Sequence, residues 1–137
     1  LHECKTKTAM SRLDTPHPPS KALAADLRNV FPSATSVHVS RMYVSEDGMR
    51  LCTGDVVYIR HGDEFLCAEL SLNVNIDGEN KCIGSLWQFA SDCKNGVSKF
   101  RVDHRPFVVN LSAVACALLY KRCADVCTVI RPPWGRL

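Results

Sequence analysis

The sequence has no apolar run long enough to cross a bilayer as a helix. Its longest, Ala113 to Tyr120, falls far short of the roughly twenty residues a spanning helix needs, so no membrane partner is expected. It also lacks a surplus of charge of one sign: 17 basic residues stand against 14 acidic ones, a net charge of +3. That excess is too small to mark a polyanion-binding surface by itself, and the basic clusters are short, Lys121 beside Arg122 and Arg101 and Arg105 around His104. Catalytic signatures are missing as well. No nucleophile elbow, phosphate-cradling glycine loop, zinc-protease helix or dinucleotide turn is present, and His38, His61, His104, Asp55 and Asp103 fall in no recognisable catalytic pattern. No enzyme activity, catalytic residue or cofactor is expected. A metal site needs paired short spacings of Cys or His, and only Cys123 and Cys127 stand close together, so no metal is expected either.

What is present suits one folded domain. At 137 residues, with 46% hydrophobic and 23% charged residues, the chain is long enough to bury a core and too apolar for general disorder. The eight cysteines would suit four disulfides in a secreted protein. However, Cys52, Cys67, Cys82 and Cys116 lie within apolar strand-like runs, where a free cysteine behaves as a small buried hydrophobe. The reduced, intracellular reading is favoured.

Residues 1–20, with three prolines near their end, read as a flexible N-terminal tail. Ser20 is placed to cap a helix running to Leu27 or Val30, which Pro32 stops. From there the period is two. Ser36 to Ser45 and Met49 to Thr53 read as a hairpin, followed by a strand from Val56 to Ile59. Leu66, Ala68, Leu70, Leu72, Val74 and Ile76 alternate with polar residues and cysteine, and Asp77-Gly78 turns the chain into a strand ending at Phe89. Ser91 to Lys99 reads as a loop, with strands predicted at Phe100–Val102 and Phe107–Leu111. Ser112 to Leu118 reads as a helical turn or irregular link, before closing strands at Leu119–Lys121 and Val126–Ile130. The expectation is a mainly β domain over 21–131, a small closed or partly open β-barrel with short helical or irregular connections, followed by a C-terminal tail over 132–137.

Between Gly54 and Phe89 the chain resembles the bromo-adjacent homology (BAH) domain of chromatin repressors that read methylated histone tails. The residues that carry the resemblance are Gly54-Asp55-Val56-Val57-Tyr58-Ile59, the turn Asp77-Gly78-Glu79, the strand Ser85-Leu86-Trp87-Gln88-Phe89, then Phe100 with His104 four residues later, and Ser112 to Cys116. It extends over about Met42 to Ile130. The resemblance implies a nuclear, non-catalytic reader that binds a histone tail peptide, with a repressive trimethyl-lysine mark on histone H3 as its ligand and other chromatin proteins as partners. Phe65, Trp87 and Phe89 would form the aromatic cage that attracts the quaternary cation, Asp92 would supply an anion beside it, and His104 would contact the peptide. The chain departs from the family at Gln88, at Phe65 and Phe89, which lack a tyrosine hydroxyl, and at Pro106. Two other readings stay open. The aromatics could be the core of an interaction or assembly barrel, or Arg101, Arg105, Lys121 and Arg122 could bind nucleic acid.

Overall fold

The computed structural model describes residues 11–132, with the side chain of Phe65 excepted. The chain is mainly β. In order it forms β1 (Arg12–Leu13), α1 (Lys21–Val30), β2 (Val37–Ser40), β3 (Met42–Val44), β4 (Arg50–Cys52), β5 (Val56–His61), β6 (Glu64–Ile76), β7 (Glu79–Asp92) and β8 (Val97–Asn110). A 3-10 turn (Leu111–Ala113) follows, then β9 (Val114–Ala117), β10 (Tyr120–Cys123) and β11 (Val126–Ile130). The large antiparallel sheet has the order β10-β11-β8-β7-β6-β5-β9, with β2 paired to the far half of β6. A small sheet has the order β1-β3-β4.

The two edge strands of the large sheet, β9 and β10, are consecutive in sequence and joined by Leu118 and Leu119 alone. Laid flat, seven strands would separate those edges by about 29 Å, whereas the link spans at most about 11 Å. The sheet therefore curls until its edges approach. Leu118 N–H donates to Val56 O at 2.8 Å on one side, and Ile130 N–H donates to Leu119 O at 3.0 Å on the other. No sheet is closed into a barrel, because the chain crosses from edge to edge instead of zipping the edges together. The expected barrel is thus replaced by a curled, open sheet.

The curl sets the core. Inside it, Val56 and Tyr58 of β5 cluster with Cys67 of the neighbouring β6, with Leu118, and with Trp87, Phe100, Cys127 and Val129 from strands further along the sheet order. The alternate residues of β5, Val57 and Ile59, face the other way and pack with Ala68 and Leu70 beneath Leu13, Tyr43 and Leu51 of the small sheet. β5 is buried on both faces, and for that reason it reads as an unbroken apolar run. A third cluster seats Leu27 of α1 on Val39, Val74 and Ile76. Ser20 caps α1 as expected, its Oγ accepting from Leu23 N–H at 3.3 Å.

Several expectations need correction. The flexible tail assigned to 1–20 is paired in its described part: Arg12 and Leu13 pair with Val44 and Tyr43, and His17 bridges Val39. Leu13 is driven there by burial, since its side chain lies in the core. Residues 1–10 lie outside the described residues, as do 133–137 of the expected C-terminal tail. Ser36 to Ser45 is not one strand; it breaks at Arg41, where Ser40 Oγ bonds Asp14 O and accepts from Met42 N–H. The two strands predicted around His104 are one, β8, and Pro106 is tolerated inside it. Pro106 pairs with Ser85 on β7, while β11 covers β8 only from Val97 to Arg101, so no partner strand asks for the missing N–H.

The β6–β7 turn, Asp77-Gly78, has positive φ at both residues (50° and 92°), as a two-residue hairpin of this twist requires. The Asp77 carboxylate also clamps the strand before β2, accepting from Thr35 Oγ1 at 2.7 Å, Ser36 N–H at 2.7 Å and Thr35 N–H at 3.0 Å. The Thr35 hydroxyl, followed by the Ser36 and Thr35 amides, holds this carboxyl below the usual carboxylate range. A folded-state pKa below the unfolded one contributes stability above the unfolded pKa and loses it as pH falls through the folded pKa. Urea unfolding at neutral pH and near about pH 3 should therefore show the advantage of the native protein over Asp77→Ala shrinking in acid. Further along, Gly84 is packed so closely that a Cβ would lie 2.2 Å from Glu69 O and 2.8 Å from Phe107 Cε1. Gly84→Ala should cost about 1–3 kcal/mol of unfolding free energy, the scale of an over-packed interior.

Candidate functional site

Trp87 and Phe89 stand two apart on β7, and both point to the inner side of the curl. Phe89 lies directly opposite Phe100 on β8, and Phe100 opposite Cys127 on β11, so these side chains share one face. They differ in depth. Trp87 is only 3% exposed, packed within the inner cluster, whereas Phe89 is 52% exposed. Each makes an edge-to-face contact. The Trp87 and Tyr120 ring centroids are 6.3 Å apart with planes at 75°, and those of Phe89 and Phe100 are 5.6 Å apart at 74°. Each pair joins a buried ring to an exposed one, Tyr120 being 47% exposed and Phe100 1%. Trp87 is therefore a supporting ring of the core and does not present a face to solvent. Its Nε1 is buried with no hydrogen-bond partner among the described residues, a desolvation cost that the packing of the ring has to outweigh.

Phe65 pairs with Arg60 at the start of β6; its side chain lies outside the described residues. Asp92, at the end of β7, is engaged: its Oδ1 accepts from Ser98 Oγ at 2.6 Å and from Arg131 Nη1 at 2.8 Å. The same guanidinium nitrogen donates to Val97 O at 3.0 Å. Asp92 thus ties the chain after β11 to the β7–β8 turn, and an incoming cation would compete with Arg131 for it. His104 is exposed, its backbone N–H donating to Asp103 Oδ1 at 2.8 Å. Its position in the ladder is informative. The register passes from Leu86↔Arg105 to Gln88↔Arg101, so residues 102–104 of β8 stand against Trp87 alone. This bulge is pinned by Val102 N–H donating to Asp125 O at 2.7 Å in the β10–β11 turn. Bulges of this kind re-aim side chains, and here one carries His104 alongside the aromatic stretch.

Sequence reasoning missed Tyr120. Its signal is weak, a single aromatic in a short polar strand, and only the register Tyr120↔Val129 places it on the inner face beside Trp87. It also missed a groove of about 500 Å³ lined by Tyr43, Glu46, Asp47, Arg60 and Leu111, which contains none of the expected site residues.

Cys52, Cys67, Cys82, Cys93, Cys116, Cys123 and Cys127 are free thiols; Cys4 lies outside the described residues. Burial pushes the thiols of Cys67, Cys116 and Cys127 up and that of Cys82 up to about 12, which disfavours the nucleophilic thiolate. Among the described residues, no group of three or more His, Cys, Asp or Glu side chains could hold a metal ion, and no helix is long and apolar enough to cross a membrane. Of the four basic residues considered for nucleic acid, Arg101 lies 4.0 Å from Asp125 and Arg105 3.8 Å from Asp103. Comparison with protein-family models, curated proteins and solved structures returns no match for this chain.

The depth of Trp87 separates its role from that of Phe89. Trp87→Ala should cost about 3–5 kcal/mol in urea unfolding, the range for truncating a buried large aromatic, and lower the melting temperature accordingly.

Proposed function

We propose that this chain is a non-catalytic, BAH-like binding module of a nuclear chromatin protein. It takes an extended histone tail across the inner aromatic face and favours a trimethyl-lysine. The observation that carries this reading is the pairing of rings: Phe89 and Tyr120 are exposed, and each is held edge-on by a buried partner, Phe100 and Trp87. Rings fixed by packing keep their orientation without a ligand, and a quaternary ammonium is attracted to an exposed aromatic face. The order of the BAH-like segments and the bulge that carries His104 beside this face support the same reading. In it Trp87 stiffens the site and Phe89 and Tyr120 meet the ligand. A linked role in transcriptional repression follows from the family resemblance.

A second reading is favoured by the burial of Trp87. The domain would be an interaction or assembly module whose aromatics serve only the core, and it would show no preference for a methylated lysine.

Calorimetric titration with unmodified and trimethylated histone-tail peptides separates the two. The reader predicts tighter binding of the trimethylated peptide, weakened at least about tenfold by Phe89→Ala, the loss of one cation–π contact. Phe89 is exposed, so that variant keeps the fold. Equal affinity for both peptides, or binding indifferent to Phe89→Ala, sinks the methyl-lysine claim.

A further inference from the structure

We propose that the free edge of β10 is a docking edge for an extended acidic segment of another protein, which adds to the curled sheet as a further strand. Among the described residues, β10 is the last strand on its side of the sheet, paired only with β11. Backbone groups in an antiparallel ladder alternate between facing the partner strand and facing away. Leu119 O accepts from Ile130 N–H, so Leu119, Lys121 and Cys123 bond towards β11. The N–H and C=O groups of Tyr120 and Arg122 then face outward. All four residues of β10 are exposed. An edge of this kind is a ready template for one more strand.

The surroundings define the occupant. Large apolar side chains are exposed on both strands of the hairpin and just before it: Leu119, at 73%, with Tyr120, Val126 and Ile130. They offer apolar surface to an added strand. The charge beside them is positive. Lys121, Thr128 and Lys99 lie directly opposite one another across β10, β11 and β8, which puts both lysines on the outer face. Arg101 stands on that face opposite Val126, and Arg122 projects to the inner side opposite Cys127. Asp125 lies 4.0 Å from Arg101, and Glu69 and Arg122 both act on the Cys127 thiol. A second copy of the chain suits the edge poorly: with Tyr120 and Arg122 turned outward in both copies, antiparallel pairing of two β10 strands in either near-centred register sets Lys121 against Lys121 or Arg122 against Arg122, and like charges directly opposite destabilise a ladder. A strand with acidic side chains on both faces and apolar residues among them complements Lys121, Arg122 and the exposed apolar groups together. This partner has the opposite charge to a histone tail; Tyr120 borders both surfaces, and Phe89→Ala, which removes a ring of the aromatic face and leaves β10 intact, separates the two proposals.

The test uses the full chain and a synthetic peptide repeating Glu-Glu-Val-Val, which places Glu and Val on both faces of a strand, followed by calorimetry and residue-resolved amide hydrogen exchange. Saturable binding is expected, weakening with salt. Exchange should slow at the Tyr120 and Arg122 amides and stay nearly unchanged at Lys121, whose amide already bonds β11. The double variant Lys121→Glu with Arg122→Glu, its fold checked by urea unfolding, should weaken binding at least about tenfold. The proposal is overturned if the peptide does not bind, if it binds without slowing the Tyr120 and Arg122 amides, or if a peptide repeating Lys-Lys-Val-Val binds equally well. A single-stranded oligonucleotide that binds β10 where the peptide fails would assign the edge to a polyanion. A peptide-free dimer with those two amides protected would assign it to a second copy.

Discussion

The fold depends on one short crossing. Leu118 and Leu119 carry the chain from the β9 edge of the large sheet to its β10 edge, with a backbone hydrogen bond on each side. Two residues bridge what a flat sheet would hold several strand widths apart, so the sheet has to curl, and its inner face becomes a core shared by strands that never pair. Tyr58 of β5 meets Phe100 and Cys127, three and four strands away in the sheet order, for this reason. The small sheet and α1 then cover the outer apolar positions, and β5 ends up buried on both sides.

The same curl grades the aromatics by depth. Trp87 and Phe100 sit in the enclosed part, and Tyr120 and Phe89 stand against them with their outer parts in solvent. A binding face built this way takes its rigidity from the core. The arrangement also removes Asp92 from the role of an unengaged anion, because Arg131 holds it as part of the clasp around the β7–β8 turn.

Strands with one period and a sharp turn were legible. The alternation from Leu66 to Ile76, the Asp77-Gly78 turn and the apolar run of β5 each encode a local choice that the sheet agrees with. Errors gathered where tertiary contacts override a local signal. Arg12 and Leu13 follow no sustained pattern yet pair with β3, since burying Leu13 rewards the docking. Pro106 looks like a strand break but falls where β8 has no second neighbour. Tyr120, alone in a four-residue strand, has no sequence feature that ties it to Trp87, thirty-three positions earlier.

By itself the sequence determined a mainly β chain, the two-residue turns, the capped helix, and the fact that residues 87 and 89 of one strand share a face, because these follow from periods and turn chemistry that span a few residues. Only the tertiary structure decided that the sheet stays open, that Trp87 is buried while Phe89 is exposed, that Asp92 is engaged by Arg131, and that β10 is an edge strand among the described residues. Depth and edge position depend on which strands lie beside one another, and strand neighbours are set by long-range pairing, to which a period of two is blind.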